Sequence, residues 1–94
     1  MSQEDIVSEF DEELLELISF VRASQHRKNV INYLSYGMRT PKEIGDALDV
    51  RTNHISNILA DLRKRDLVVC TTPNVRKGRL YALTDTGDNI LKYL

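Results

Sequence analysis

The sequence predicts a mainly α-helical domain with one small β-hairpin, in the order α-α-α-α-β-β-α. Two observations predict this class. Apolar residues recur at helical spacing over roughly the first two thirds of the chain, and two β-branched segments separated by turn-forming residues follow them. The 94 residues are enough for a single domain with a modest core, so we expect residues 1–94 to fold as one unit.

Two helices are predicted before residue 40. Ser8 and Asp11 have the spacing of a capping box and predict where the first helix, within residues 1–23, begins. Its apolar stripe consists of Phe10, Leu14, Leu17, Ile18 and Val21. Ser24 is placed to cap the second helix, and Gly37 is placed to end it.

Residues 40–66 predict two short helices joined by a tight turn. Thr40 is a helix cap, Pro41 suits the first helical position, and Glu43 has the position of a capping-box carboxylate. The apolar stripe of this helix consists of Ile44, Ala47 and Leu48. This arrangement is a helix-turn-helix unit, whose second helix is built to enter the DNA major groove.

The turn and the second helix of this unit make further predictions. Gly45 suits a close approach of the two helices, while Asp49 and Asp66 occupy positions that favour a left-handed backbone. Thr52 or Asn53 is predicted to cap the second helix. Its inward face is predicted to consist of Ile55, Ile58, Leu59 and Leu62.

Residues 67–84 predict a hairpin, because two β-branched segments flank the turn formers of residues 73–78. Thr84 then caps a last helix within residues 85–94.

These elements resemble the winged helix-turn-helix regulators of bacteria and archaea, specifically the ArsR-like and MarR-like groups. The residues that carry the resemblance are Thr40, Pro41, Lys42, Glu43, Ile44, Ile55, Ser56, Leu59, Leu62, Leu67, Val68 and the run from Tyr81 to Gly87. The resemblance implies a DNA-binding transcriptional regulator.

The charge distribution fits a nucleic-acid partner, although the net charge is only −1. Residues 1–20 carry seven acidic residues and no lysine or arginine, so the rest of the chain holds thirteen basic residues against seven acidic ones. The average over the whole chain therefore hides a basic part that suits phosphate binding. The charge distribution alone equally fits an acidic helix and a mixed surface that are simply solvated.

Two groups of residues are the candidates for contact with double-stranded DNA. Polar residues cluster at the start of the second helix of the unit, where recognition helices read base edges. They are Arg51, Thr52, Asn53, His54, Ser56 and Asn57. The hairpin, or wing, carries Arg76, Lys77 and Arg79, which suit phosphates or the minor groove. His26 is expected to be an ordinary surface residue, and neither histidine has an obvious partner.

Apolar residues near both ends of the chain predict the homodimer interface, because they exceed what one small core covers. They are Phe10, Leu14, Leu17, Ile18, Val21, Ile90, Leu91 and Leu94. Leu15 and Phe20 lie off the first-helix stripe and add to this surplus. Pairing these helices would separate two recognition helices by about one DNA turn, ~34 Å.

Several functions are not expected. No catalytic or phosphate-binding motif is present, so the protein is not expected to be an enzyme. Cys70 is expected to be a buried structural thiol, and no metal ligand set or cofactor is expected. No apolar run approaches the ~18 residues of a membrane span, so we expect a cytoplasmic protein.

The alternative function is a winged-helix module that binds proteins, which the acidic first helix would suit.

Overall fold

Five α-helices and one antiparallel hairpin form the part of the chain that the computed structural model describes, namely the backbone of residues 2–94 and the side chains of residues 12–94. The helices are α1 (Ser2–Arg22), α2 (Gln25–Leu34), α3 (Pro41–Leu48), α4 (Thr52–Lys64) and α5 (Asp85–Ile90), and the strands are β1 (Val68–Cys70) and β2 (Tyr81–Leu83). A 3-10 turn, Leu91–Tyr93, follows α5. The predicted fold class and element order are confirmed.

Helix α1 begins at Ser2, so the prediction that Ser8 starts it is wrong. The reason is visible in the spacing, because Ile6 lies four residues before Phe10 and extends the apolar period by one turn.

The predicted helix caps at Ser24 and Thr40 are present. The Ser24 hydroxyl accepts a hydrogen bond from the Arg27 amide at 3.3 Å. The Thr40 hydroxyl accepts from the Glu43 amide at 3.1 Å, and the Glu43 carboxylate accepts from the Thr40 amide at 2.8 Å, which completes the capping box. Pro41 takes the first helical position. These bonds fix where α2 and α3 begin.

The turn between α3 and α4 is held by the backbone. Asp49 has φ 59° and ψ 47°, the left-handed conformation predicted for it, and Asp66 has φ 59° after α4. The Val50 amide donates to the Gly45 carbonyl at 2.9 Å. A β-carbon on Gly45 would lie 2.5 Å from the Val50 carbonyl oxygen, so the close approach at this glycine is confirmed.

The start of α4 and one residue of α3 differ from prediction. Arg51, not Thr52 or Asn53, is the N-cap residue of α4, and its side chain makes no capping bond. The Asn53 side-chain oxygen instead accepts from the neighbouring His54 amide at 3.0 Å. On α3, Ile44 is buried and Leu48 half-buried, but Ala47 is exposed because it lies at the edge of the stripe.

The hairpin is shorter than residues 67–84 predict, with Val68 paired to Leu83 and Cys70 paired to Tyr81. Beyond Thr71, the Thr72 hydroxyl replaces a backbone acceptor by taking the Leu80 amide at 2.9 Å, and the ladder ends there.

Arg39, between α2 and α3, adds a third strand position to this sheet. Its amide donates to the Tyr81 carbonyl at 3.1 Å, and its carbonyl accepts from the Tyr81 amide at 2.9 Å. The wing is thereby tied to the chain segment that leads into the helix-turn-helix unit.

One apolar core joins all the elements. It contains Ile18, Val21, Val30, Ile31, Leu34, Ile44, Ile55, Ile58, Leu59, Leu62, Leu67, Val68, Tyr81 and Ile90. Four of these residues, the predicted inward face, belong to helix α4. Their burial in the core fixes the orientation of this helix.

Candidate nucleic-acid interface

The exposed face of α4 is opposite its buried ridge. All six candidate residues of the recognition helix, from Arg51 to Asn57 with Ile55 omitted, are exposed to solvent. The Arg51 guanidinium makes no capping hydrogen bond to α4, whereas the Asn53 side-chain oxygen accepts a hydrogen bond from the His54 amide. The structure therefore brings the predicted polar residues together around the first two turns of one rigid helix.

The chemistry of this face suits base edges. Asn57 and Asn53 each carry one acceptor and two donor hydrogens, the pattern that pairs with adenine in the major groove. Because Ile55, Ile58 and Leu59 are buried beneath them, the helix backbone cannot rotate without opening the core. The polar side chains are thus presented from a fixed support.

The wing presents its three basic residues at the exposed loop between β1 and β2. The loop is closed by the Thr71 amide, which donates to the Leu80 carbonyl at 2.8 Å. Arg79 donates from Nε to the Val75 carbonyl at 2.7 Å, so part of its guanidinium braces the loop. Arg76 and Lys77 lie at the tip, before Gly78 with its left-handed φ of 67°.

The basic end of α4 has a different role. The Arg65 guanidinium lies 4.2 Å from the ring centroid of Phe20, and the Arg27 guanidinium lies 4.0 Å from the same centroid. Arg27 also donates to the Phe20 carbonyl at 2.8 Å. These cation–π contacts connect α1, α2 and the end of α4, which gives Arg65 a structural role.

Sequence reasoning missed one neighbour of the recognition helix. The imidazole of His26, on α2, lies edge-to-face against that of His54, with ring centroids 5.1 Å apart and planes 83° from parallel. Neither histidine was expected to have a partner in a metal site, and this contact between two imidazole rings is a different kind of neighbour. The two residues are 28 positions apart in sequence, and no spacing rule connects them.

The candidate dimer residues divide into two sets. Ile18, Val21 and Ile90 are buried in the core of their own chain, so they lie beneath the surface that a second copy would contact. Leu14, Leu17, Leu91 and Leu94 are half-buried and pack at the margin of that core. Phe10 lies outside the residues whose side chains are described.

A shallow groove of about 210 Å³ lies at this margin, lined by Leu14, Leu15, Ile18 and Tyr93. We call these four residues the apolar end patch. Leu15 is 57% exposed and Tyr93 is 43% exposed, so the patch includes two apolar side chains that are accessible to solvent.

Cys70 is half-buried rather than buried, because it pairs at the end of the short ladder next to exposed Val69. Among the residues that the structure describes, no three metal-ligating side chains come together. In the same part of the chain, none of the helices has both the length and the apolar character needed to cross a membrane.

Solved structures with the same arrangement of elements identify the fold. The S. aureus MepR–DNA complex matches with a TM-score of 0.70 at 15% identity, over 99% of this chain and 79% of MepR. The fold is that of the MarR-type winged helix-turn-helix regulators. The predicted resemblance to MarR-like proteins is thus confirmed at the level of fold.

Two further MarR-type structures agree. The transcriptional repressor CouR, bound to a 23-mer DNA duplex, matches with a TM-score of 0.69 at 22% identity, over 98% of this chain and 66% of CouR. The adhesin competence repressor AdcR of Streptococcus pyogenes matches with a TM-score of 0.69 at 16% identity, over 99% of this chain and 70% of AdcR. These neighbours are transcription regulators, not enzymes. The sequence matches no known family profile and no curated protein.

Proposed function

We propose that this protein is a transcriptional regulator that binds double-stranded DNA sequence-specifically as a homodimer in the cytoplasm. The observation that carries the proposal is the polar face of α4, which is exposed and rigidly supported, in a fold that also presents a basic wing. Two solved structures with this fold hold DNA. Helix α4 would lie in the major groove, with the wing on the flanking backbone or minor groove.

The exposed apolar residues weigh against a protein-binding module. Among the described side chains, the large exposed apolar residues are Leu15, Tyr36, Met38, Val69, Val75 and Tyr93. All six lie outside α4, whose outer face is polar from Thr52 to Asn57. A helix that bound a protein partner through this face would be expected to present apolar anchors there.

The homodimer part of the proposal rests on the apolar end patch. Leu15 and Tyr93 leave apolar surface in water next to a groove, whereas lone exposed apolar residues elsewhere need no such explanation. Two copies joined through these patches would present two recognition helices to one palindromic site, since a twofold dimer mirrors the symmetry of its operator.

The proposal is tested by separating the roles of helix and wing on a site selected from random-sequence duplexes. Asn57→Ala is expected to reduce the preference for this site over random DNA by about 1–3 kcal/mol, because a side chain in the major groove reads a base edge. Arg76→Ala is expected instead to weaken binding to all duplexes and to reduce the salt slope by about one, because it removes a phosphate contact.

Matched controls come from elsewhere in the chain. Asn89→Ala removes an exposed amide from α5, and Lys64→Ala removes a charge from the far end of α4. Both controls should bind as the wild type does. Unchanged preference and salt slope in both test variants would contradict the DNA-binding proposal and favour the protein-binding alternative.

A further inference from the structure

The contact between His26 and His54 joins the start of α2 to the start of the recognition helix. His26 is the second residue of α2 and His54 the third residue of α4, and both side chains are exposed. A centroid separation of 5.1 Å at an interplanar angle of 83° is an edge-to-face pair, one of the preferred geometries of aromatic rings. An exposed pair of this kind orders two side chains that would otherwise sample several rotamers.

The His26 side of the pair is well anchored. Ser24 caps the helix one residue before it begins, and Arg27, next to His26, is fixed both to the Phe20 carbonyl and over the Phe20 ring. One turn further on, Val30 and Ile31 are fully buried. The position of His26 is therefore set by the packing of α2 on α1 and the core, and not only by its contact with His54.

The His54 side has weaker local support. The N-cap residue Arg51 makes no side-chain bond to the first turn of α4, and the Asn53 side chain engages the His54 amide rather than the ring. Within the described part of the chain, His26 is thus the ring neighbour that orients the His54 imidazole.

We infer that His26 is a positioning residue for sequence reading: it holds the His54 ring in the orientation that His54 uses at a base edge. This inference rests on the proposed DNA-binding function and adds a second helix, α2, to its specificity. A ring that is ordered before binding loses less conformational freedom when it contacts its base. The affinity for the correct sequence therefore rises relative to the affinity for incorrect sequences. His26 itself need not touch DNA.

The variant His26→Ala is expected to reduce the preference for the selected site over random DNA by about 3- to 10-fold, the loss expected for one edge-to-face pair. His26→Phe keeps a planar ring at the same place and is expected to restore most of that preference. In a His54→Ala background, His26→Ala is expected to have no further effect, because the ring it positions is gone. Gln25→Ala, at the adjacent exposed position, is the matched control.

A DNA-free measurement accompanies the binding data. The ring protons of His54 should shift in the NMR spectrum of His26→Ala, because the ring current of the neighbouring imidazole is lost. Thermal unfolding should show that His26→Ala and His54→Ala remain folded. Loss of preference in His26→Ala with rescue in His26→Phe supports the inference.

Three results would overturn it. In the first, His26→Ala leaves the sequence preference unchanged while His54→Ala lowers it, which would mean that the His54 ring needs no positioning. Alternatively, His26→Ala would weaken binding to all duplexes equally, also in the His54→Ala background, which would indicate a direct phosphate contact. A wild-type protein that binds no duplex would remove the proposed function together with the inference, whereas the first two results leave that function standing.

Discussion

Replacing Gly87 by alanine is expected to lower the free energy of unfolding by about 2 kcal/mol, because a β-carbon there has no space. It would lie 2.2 Å from the Leu67 carbonyl oxygen and 3.2 Å from the Leu67 carbonyl carbon. Both are backbone atoms that cannot turn aside. Alanine's better helix propensity, worth up to about 1 kcal/mol, offsets only part of this cost.

The junction around Gly87 explains why the effect should spread. The Leu67 carbonyl also accepts the Thr84 amide at 3.1 Å, and the Thr84 hydroxyl caps α5 by accepting the Gly87 amide at 3.0 Å. Moving α5 away would therefore strain the base of the wing as well.

Thermal unfolding is the measurement for this variant, with a fall in Tm of roughly 10 °C expected for a domain of this size. Asn89→Ala, exposed on the same helix, should change stability by less than about 0.5 kcal/mol. A Gly87→Ala protein as stable as the wild type would show that α5 does not pack this closely on the Leu67 backbone.

Replacing Leu15 by glutamate is expected to weaken the proposed homodimer by at least about 2 kcal/mol, roughly 30-fold in association, because two unpaired carboxylates would be buried at the interface. Leu15 is the most exposed member of the apolar end patch, so each chain should still fold with glutamate at this position. Sedimentation equilibrium at micromolar concentration measures the effect. The wild type should sediment at about twice the 10.8 kDa mass of one chain, and the variant at that of one chain.

Tyr36→Glu is the matched control for this comparison. Tyr36 is 80% exposed and does not line the groove of the apolar end patch, so its substitution should leave the dimer intact. A wild type that sediments only as a single chain would contradict the homodimer and the palindromic site. It would not contradict DNA binding by a single copy.

Local rules predicted much of the frame that supports the site. Capping at Thr40 and Thr84, the left-handed backbone at Asp49 and the buried ridge of α4 each depend on residues within a few positions of one another. Such short-range features are decided by backbone geometry and hydrogen bonding, so the sequence pattern carries them directly.

Contacts between distant residues were not predictable in the same way. The His26–His54 pair and the Arg39–Tyr81 bridge join residues 28 and 42 positions apart, and neither leaves a periodic signal. Cys70 is half-buried for a related reason, since the length of the ladder depends on a side-chain bond from Thr72.

The most direct test of the account is the affinity of the wild-type protein for a generic DNA duplex at two salt concentrations. With several phosphates contacted by the recognition helix and wing, affinity should fall by about 100-fold or more between about 50 and 200 mM salt. A steep linear dependence of log affinity on log salt is the predicted result. Absence of binding at the lower salt concentration, or an affinity that salt does not change, would contradict the claim that this surface binds DNA.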